Sequence, residues 1–302
     1  MTIEANVPLA RFTTLGTGGP ARAFARPGTI DELREALRWA ADEGLDVAVV
    51  GLGSNLLVAD EGADALVLRL AGGLAGVEVE DTIVRAGGGA PLAVCLHRAR
   101  AAGLGGLEFA CAIPGTVGGG VRMNAGAYGG DLAGVVERAL VVDADGGELR
   151  SNEALGFAYR RSGIGGGEVV ASAELRLVPR PIDEIKSMVA AMQARRKAAQ
   201  PTNKRTFGSV FANPEGHELT AGRMLQACGL RGHRIGGAQI SPRHANFIEN
   251  VDGATSADAL ALMAEARRRA LERFGVELHR EVQFLGPLEL PPAGELVHTA
   301  AG

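Results

Sequence analysis

The sequence is poor in cysteine and lacks any long hydrophobic run. Its three cysteines, Cys95, Cys111 and Cys228, lie far apart and form no C-x-x-C pair. This pattern favours neither a disulfide framework nor a cysteine-bound metal, and it is typical of a reducing compartment. No stretch reaches the ~18 apolar residues that a membrane-spanning helix needs, and the first residues lack a signal-peptide pattern. We therefore expect a cytoplasmic protein without membrane insertion.

Positive charge is not in excess either. The chain carries 31 Lys and Arg against 35 Asp and Glu, a formal net charge of -4, so no nucleic-acid partner is expected. The run Arg267-Arg268-Arg269 lies in a helical pattern and is predicted to be a solvated face. No group of His, Asp and Glu has the spacing of metal ligands, so no metal site is predicted.

Glycine is abundant instead. It occupies 44 of 302 positions, roughly twice the usual share. These glycines have no three-residue period and no accompanying excess of proline, which excludes collagen-like and disordered repeats. Such a composition indicates many close backbone turns, or backbone packed directly against a ligand.

Local signals in the first half of the chain predict a helix and two hairpins. Thr29-Ile30-Asp31-Glu32 has the form of a capping box, and Gly44 is a suitable C-terminal cap, so a helix is expected between them. Alternating residues around Asp81, and the pair Asp145-Gly146, predict hairpin turns.

In the second half, a long helix is predicted to end at the polar run Gln200-Pro201-Thr202-Asn203, which is therefore a candidate domain boundary. Thr255 or Ser256 is expected to start another long helix, and Gly275 to end it. Residues 276–285 are predicted to form a final strand.

Two glycine-rich regions are candidates for ligand binding. Gly51-Leu52-Gly53-Ser54-Asn55 follows a predicted strand but lacks the third small residue and the helix of a dinucleotide fingerprint. Its backbone N–H groups could still hold an anion, although a simple turn is an equally good interpretation. Residues 113–120 and 124–129 repeat this glycine density. A flat, extended cofactor lying on bare backbone explains both regions, and a glycine-rich crossover between strands is the alternative.

These segments resemble known FAD-binding motifs. Thr13-Thr14-Leu15-x-x-Gly18-Gly19-Pro20-Ala21, the Gly51 loop, Ile113-Pro-Gly-Thr-Val-Gly-Gly119 and Asn124-Ala-Gly-Ala-Tyr-Gly129 are similar to segments of the UDP-N-acetylenolpyruvoylglucosamine reductase (MurB) family. Further similar motifs include Phe157-x-Tyr159-Arg160-x-Ser162, Gly208-Ser209-Val210-Phe211-x-Asn213-Pro214, Ser241-Pro-x-His244-Ala-Asn246-Phe247 and Leu278-x-x-Glu281-Val282. The motifs occur in one order over about residues 7 to 286, and their joint occurrence is highly specific.

The resemblance implies a fold and a reaction. The fold is an α+β, three-domain flavoprotein: a two-part FAD-binding scaffold (PCMH/VAO-like) in residues 1–73 and 74–203, a substrate-binding domain in 204–286, and a flexible tail in 287–302. The reaction is the reduction of UDP-N-acetylglucosamine enolpyruvate to UDP-N-acetylmuramate for peptidoglycan synthesis, with FAD as cofactor and NADPH as co-substrate. The short stretch between Arg160 and Ser209 indicates the shorter (type II-like) subtype, without an inserted tyrosine loop. Ala212 departs from the lysine expected in the serine motif.

Site residues are carried over from the same motifs. Ser209 is the implied proton donor, Arg160 the positive clamp, and Glu281 the carboxylate that steers the arginine or holds a proton. Taken alone, each has an ordinary interpretation as a turn serine, a surface arginine and an exposed strand glutamate. The FAD contacts are expected from Gly51, Gly53, Ser54, Asn55, Leu56, Pro114, Gly115, Gly119, Gly126 and Tyr128, and the substrate contacts from Tyr159, Lys197 and Asn213. His244 and Asn246 could line the same cleft or be structural.

Two other functions remain open from the residues alone. One is a nucleotide-sugar binding or regulatory protein that has lost turnover, which the intact set of Arg160, Ser209 and Glu281 disfavours. The other is a flavin oxidase with a different substrate, which would not be expected to carry the serine motif. The catalytic groups are expected to come from separate domains, an arrangement typical of domain closure over a ligand.

Overall fold

The computed structural model describes residues 1–293, which contain six α-helices and nineteen strands. The helices are α1 Ile30–Asp42, α2 Leu92–Ala101, α3 Val117–Arg122, α4 Ile182–Ala199, α5 Ala221–Ala227 and α6 Ser256–Phe274. The strands are β1 Ile3–Pro8, β2 Pro20–Ala25, β3 Asp46–Val49, β4 Leu56–Val58, β5 Ala63–Leu68, β6 Val77–Glu80, β7 Ile83–Gly87, β8 Leu104–Gly105, β9 Gly126–Ala127, β10 Gly130–Asp131, β11 Val136–Val142, β12 Gly147–Ser151, β13 Val169–Arg176, β14 Val178–Pro179, β15 Thr206–Ser209, β16 Arg234–Ile235, β17 Ala238–Ile240, β18 Phe247–Asn250 and β19 Gln283–Leu285.

The chain forms two compact units that are not continuous in sequence. The first unit comprises Met1–Val7, Ala21–Leu52 and Asp64–Ala198. The second comprises Pro8–Pro20, Gly53–Ala63 and the described residues from Ala199 onward. The division into residues 1–73, 74–203, 204–286 and 287–302 stays a prediction. Of its last segment, residues 294–302 lie outside the described residues, while Leu288 and Leu290 pack against the core of the second unit.

The first unit contains two main sheets. The four-stranded sheet has the order β1-β2-β5-β3, with β3 and β5 parallel, and the five-stranded sheet has the antiparallel order β12-β11-β13-β7-β6. α1 packs on the first sheet because its buried residues, Leu33, Ala36, Leu37 and Ala40, recur at helical spacing along one face.

The predicted helix and hairpins of this unit are confirmed, and the predicted capping box is formed only in part. Thr29 caps α1 by accepting the N–H of Glu32, although the Glu32 carboxylate accepts the N–H of Gly28 rather than that of Thr29. β6 and β7 pair across Asp81, and β11 and β12 pair across Asp145-Gly146. The second turn is held by Asp143, whose carboxylate accepts two backbone N–H groups.

The second unit is built on a four-stranded antiparallel sheet of order β15-β18-β17-β16, packed against α5 and α6. A separate parallel pair joins β19 to β4, with Gln283 opposite Leu56. This pairing makes Gly53–Ala63 part of the second unit. α6 begins at a complete capping box of Thr255 and Asp258 and ends at Gly275, which has a φ of 65°, as predicted.

Two predictions for this unit are wrong. The final strand extends only over Gln283–Leu285 instead of 276–285, because the preceding residues pair singly, as in the isolated bridge between Phe211 and Arg280. Arg267 is not on a solvated face. It is 8% exposed and donates to the carbonyls of Leu278 and Pro291, since a guanidinium can satisfy several acceptors at once.

No helix within residues 1–293 is both long enough and apolar enough to cross a membrane.

A stability prediction follows from the start of α6. The two carboxylate oxygens of Asp60 accept the N–H groups of Ser256 and Ala257, each at 2.9 Å. We expect Asp60→Ala to lower the free energy of unfolding, measured by urea titration, by about 1 to 2 kcal/mol, because two N–H groups at a helix start lose their acceptor. Asp64→Ala, which removes an exposed pair with Arg22, is the control and should cost about 0 to 1 kcal/mol. Equal losses would contradict the capping role.

Candidate functional site

In the first unit, the structure brings two of the predicted glycine segments together. Gly51 follows β3, and a Cβ atom at Gly51 would lie 2.5 Å from the hydroxyl oxygen of Thr116. The end of this strand therefore packs directly on the turn that contains Pro114 and Gly115. Only glycine permits this close approach. Contact with the second glycine segment therefore explains why position 51 is a glycine.

The second segment, residues 113–120, contains the start of a short helix. Val117–Arg122 forms α3, which Thr116 caps by accepting the N–H of Gly119. The N–H groups of Val117 and Gly118 donate to the carbonyls of Ala90 and Gly88, at 2.8 and 2.7 Å. Three successive glycines disfavour a helix, but the two hydrogen bonds to the neighbouring loop stabilise α3. The first donors of α3 are thus used within the protein, and they do not form an anion site.

The glycines of the first unit differ in whether internal packing requires them. At Gly126 a Cβ atom would overlap Asp131, 2.6 Å away. At Gly115 the nearest atom would be 3.9 Å away, and at Gly119 it would be 3.5 Å away. Internal packing therefore does not account for Gly115 and Gly119. Bare backbone at these two positions fits a flat ligand that lies directly on the main chain.

Arg160 lies in a tight turn of the first unit. Ala158 and Arg161 exchange both backbone hydrogen bonds, and Arg160 has a φ of 57°. Its Nη2 atom donates to the carbonyl of Gly126 at 3.0 Å, and its guanidinium lies 4.9 Å from the ring centre of Tyr159. The structure thus brings together Gly126, Tyr159 and Arg160, which the sequence assigned to cofactor, substrate and catalysis.

Tyr128 packs against Arg195, a residue that the sequence analysis missed. The guanidinium of Arg195 in α4 is 5.0 Å from the ring centre of Tyr128. Lys197 is exposed, two residues further on in the last turn of α4. The stacking of Arg195 on an aromatic ring has no local sequence signal, because the two residues are far apart along the chain.

In the second unit, Ser209 and Glu281 lie on neighbouring segments. Ser209 is the last residue of β15, and the next carbonyl, that of Val210, accepts the N–H of Glu281 at 2.8 Å. The side chain of Asn55 donates to the carbonyl of Glu281 at 3.3 Å, and a Cβ atom at Gly208 would lie 3.2 Å from the carbonyl oxygen of Ser54. Ser54, Asn55 and Leu56, which opens β4, therefore belong to the same cluster as the two catalytic candidates.

Two asparagines and a histidine of this unit have structural partners. The Oδ1 atom of Asn213 accepts the N–H of Ala221 at the start of α5. Asn246 is 4% exposed, and its side-chain amide makes both hydrogen bonds to the backbone of Phe211. His244 packs against Gly222 and Phe247, and burial lowers the pKa of its imidazole. Asn246 therefore has a structural role, and His244 packs within the same unit.

The glycine loop of the second unit gives a sharp prediction. Gly53 has a φ of +64°, and a Cβ atom there would lie 1.9 Å from the carbonyl oxygen of Phe12. At Gly275, with a φ of +65°, a Cβ atom would have no other atom within 4 Å. We expect Gly275→Ala to cost about 1 to 2 kcal/mol for the left-handed conformation, and Gly53→Ala to cost about 1 to 3 kcal/mol more for the overlap. Urea unfolding and the FAD content of the purified protein measure this. Equal stability of the two variants would contradict the packing argument.

Within residues 1–293, no three His, Cys, Asp or Glu side chains are grouped so that they could hold a metal ion.

Comparison with known proteins gives matches over nearly the whole chain. Residues 21–152 match the family model of an FAD binding domain, and residues 200–285 match the C-terminal domain of UDP-N-acetylenolpyruvoylglucosamine reductase. A reductase of that name from Symbiobacterium thermophilum is 46% identical over 92% of this chain and 91% of its own length. A second, from Anaeromyxobacter dehalogenans, is 43% identical over 98% of this chain and 90% of its own length.

A solved structure agrees with these sequence matches. The crystal structure of the corresponding reductase from Thermus caldophilus superimposes with a TM-score of 0.83 at 37% identity, covering 94% of this chain and 99% of the other. The predicted fold class, α+β with an FAD-binding scaffold and a C-terminal substrate-binding domain, is confirmed.

Proposed function

The chain belongs to the UDP-N-acetylenolpyruvoylglucosamine reductase family, and from this premise we propose which of its side chains carry out the family's reaction. The protein is a flavin-dependent oxidoreductase of peptidoglycan synthesis. It reduces the enolpyruvyl ether of UDP-N-acetylglucosamine to UDP-N-acetylmuramate, with FAD as cofactor and NADPH as co-substrate. In the reaction the enol ether gains a hydride at its terminal methylene carbon and a proton at the adjacent carbon.

FAD, when bound, supplies the hydride that originates from NADPH. In the first unit, Gly51, Pro114, Gly115, Gly119, Gly126 and Tyr128 are the proposed contacts. The observation that supports them is that internal packing does not require glycine at positions 115 and 119, where a Cβ atom would meet its nearest neighbour at 3.9 and 3.5 Å. In the second unit, Gly53, Ser54, Asn55 and Leu56 are the proposed contacts. The protein's part is to place and orient the cofactor and to exclude competing reactions.

Arg160 is the proposed clamp for the substrate carboxylate. A guanidinium remains charged at any pH that the protein experiences, and it can bind both oxygens of a carboxylate. When the hydride arrives, negative charge develops next to that carboxylate, and a fixed positive group stabilises it. The observation that carries this assignment is the left-handed turn at Arg160. A non-glycine residue in this conformation is disfavoured, and such residues cluster at functional sites.

Ser209 is the proposed proton donor. A serine hydroxyl is a weak acid, so it donates only to a strongly basic carbon that is held in the correct position. Glu281, whose backbone N–H donates to the carbonyl of Val210 next to Ser209, is the proposed catalytic carboxylate of the protein. Its role is to orient the substrate or the arginine, or to hold a proton on the substrate carboxyl.

Tyr159, Lys197 and Asn213 are the proposed substrate contacts. Lys197 offers a mobile positive charge to the diphosphate. Asn213 uses its carbonyl oxygen at the start of α5, so its amide nitrogen is the atom proposed to reach the substrate. β13, β14 and α4 are the main elements between Arg160 and Ser209, which fits the shorter subtype without an inserted tyrosine loop.

The remaining proposals concern organisation and location. Residues 1–73 and 74–203 are proposed as the FAD-binding subdomains, 204–286 as the substrate-binding domain and 287–302 as a tail. A cytoplasmic location is proposed because the nucleotide-linked substrate and NADPH are cytoplasmic metabolites, and the same reaction connects the protein to cell-wall biogenesis, cell shape, the cell cycle and cell division.

A spectroscopic experiment tests the function directly. The purified protein should be yellow, lose its visible absorbance on anaerobic addition of NADPH, and regain it when UDP-N-acetylglucosamine enolpyruvate is added. UDP-N-acetylglucosamine, which lacks the enolpyruvyl group, is the matched control and should restore nothing. Absorbance restored by oxygen but not by the enolpyruvyl sugar would instead indicate an oxidase, and a protein that takes up no FAD would contradict both.

A further inference from the structure

We propose that Asn124 is a positioning residue for Arg160, because it fixes the turn from which the guanidinium extends. This inference rests on the proposed role of Arg160. Asn124 does not need to touch the substrate. It acts through the backbone of Ala158, the first residue of that turn.

The turn at Arg160 requires such support. Arg160 adopts a φ of 57°, which is unfavourable for any residue with a Cβ atom. A glycine would form this turn more readily, but it would provide no guanidinium. A strained conformation persists only where the surrounding structure fixes it, so the contacts that hold the turn determine where the positive charge lies.

Asn124 makes those contacts from a buried position. It is 4% exposed and lies just after α3, with a φ of 39°, a conformation that asparagine tolerates better than most residues. Its Nδ2 atom donates to the carbonyl of Ala158 at 3.1 Å and lies 3.4 Å from the Asp131 carboxylate, while its Oδ1 atom accepts the N–H of Ala133 at 2.9 Å. Both polar atoms of the Asn124 amide are therefore hydrogen-bonded.

The chemistry of these three partners selects an amide. A carbonyl and a carboxylate both need a donor, whereas the N–H of Ala133 needs an acceptor. Among uncharged side chains of this length, only asparagine provides two donors and an acceptor in one plane. The end of α3 is also tied to the same loop by Ser162, whose hydroxyl donates to the carbonyl of Arg122 at 2.8 Å. The turn of Arg160 is therefore anchored to the end of the glycine-rich helix.

The test exchanges the two polar partners. Asn124→Asp combined with Asp131→Asn keeps the hydrogen bond between the two positions, the acceptor for Ala133 and the total charge, and removes only the donor to Ala158. Asp131→Asn alone keeps the donor and is the control. Asn124→Gly removes the whole side chain without opposing the positive φ, and the exchange variant keeps the proposal testable if Asn124→Gly does not fold.

In the exchange variant, reoxidation of the reduced flavin by the enolpyruvyl substrate should slow by about 10-fold to 100-fold, since small displacements of a positioning group have effects of this size. The affinity for that substrate, measured from the flavin spectrum without NADPH, should also fall. Reduction by NADPH and the affinity for FAD should stay close to their original values, because none of the proposed flavin contacts is replaced. Original values of both the reoxidation rate and the substrate affinity would overturn the proposal.

A double-mutant cycle with Arg160→Ala separates this proposal from the proposed function. If Asn124 acts through Arg160, the exchange should have no further effect on reoxidation or substrate affinity once Arg160 is alanine. The same fold-loss in both backgrounds would show that Asn124 acts elsewhere and would overturn the inference. If Arg160→Ala alone leaves reoxidation unchanged, the role of Arg160 itself fails, which is a different result.

Discussion

Replacing Ser209 with alanine is expected to leave the reduction of bound FAD by NADPH unchanged and to slow its reoxidation by the enolpyruvyl substrate by about 10²-fold to 10⁴-fold, the usual contribution of a positioned general acid. The two half-reactions respond differently because only the second one needs a proton at carbon. Ser209 ends β15, beside the backbone pairing of Val210 with Glu281, so its loss removes a hydroxyl group without removing a core side chain. Stopped-flow absorbance of the flavin measures each half-reaction separately.

Two further variants sharpen the test of Ser209. Ser209→Cys keeps a proton-bearing group of similar size and should retain part of the reoxidation rate. Ser187→Ala removes an exposed serine that donates to the carbonyl one turn earlier in α4, and it should behave like the original protein. Reoxidation at the original rate in Ser209→Ala would remove this residue from the role of proton donor.

The second large effect is expected at Arg160. Arg160→Ala should slow reoxidation by about 10²-fold to 10³-fold, the size observed when one group that stabilises developing negative charge is removed, and it should weaken substrate binding. Arg160→Lys should give an intermediate rate, because lysine keeps the charge but cannot bind a carboxylate with a planar fork. Rapid mixing of reduced enzyme with substrate at several concentrations separates the rate from the affinity.

The neighbouring arginine is a close control for this experiment. Arg161 belongs to the same turn and contributes its backbone N–H and carbonyl to the pairing with Ala158. Arg161→Ala keeps these backbone groups and removes a similar charge, so it should leave both half-reactions nearly unchanged. Equal losses in Arg160→Ala and Arg161→Ala would indicate that the general positive charge of the turn matters, and that Arg160 is not a specific clamp.

The sequence analysis named the residues of the candidate site but not the contacts that hold them. Ser209 and Glu281 come from motifs 72 positions apart along the chain, and the structure places their segments side by side in one unit. Asn213 was assigned to the substrate from its motif alone, and its use at the start of α5 was not foreseen. Asn124 was part of a recognised segment, but its role depends on Ala158, Asp131 and Ala133, which no local pattern connects to it.

The sequence by itself determined those features that depend on neighbouring residues or on ordered motifs. The caps of α1 and α6, the ends at Gly44 and Gly275 and the turn at Asp145-Gly146 are set by hydrogen bonds and φ values within a few residues. The ordered motifs were sufficient to identify the family.

Only the tertiary structure decided which segments share a unit. Gly53–Ala63 belongs with the C-terminal part because β4 pairs with β19, and Pro8–Pro20 is tied to it by contacts such as the Asn250 amide, which donates to the carbonyl of Leu15. Contacts between distant segments leave little trace in either segment alone. α3 forms in a glycine-rich stretch because Gly88 and Ala90 accept its first N–H groups. Arg160 keeps its left-handed conformation because distant side chains hold the turn. In each case the deciding energy comes from contacts between residues far apart in the chain, which local propensity does not contain.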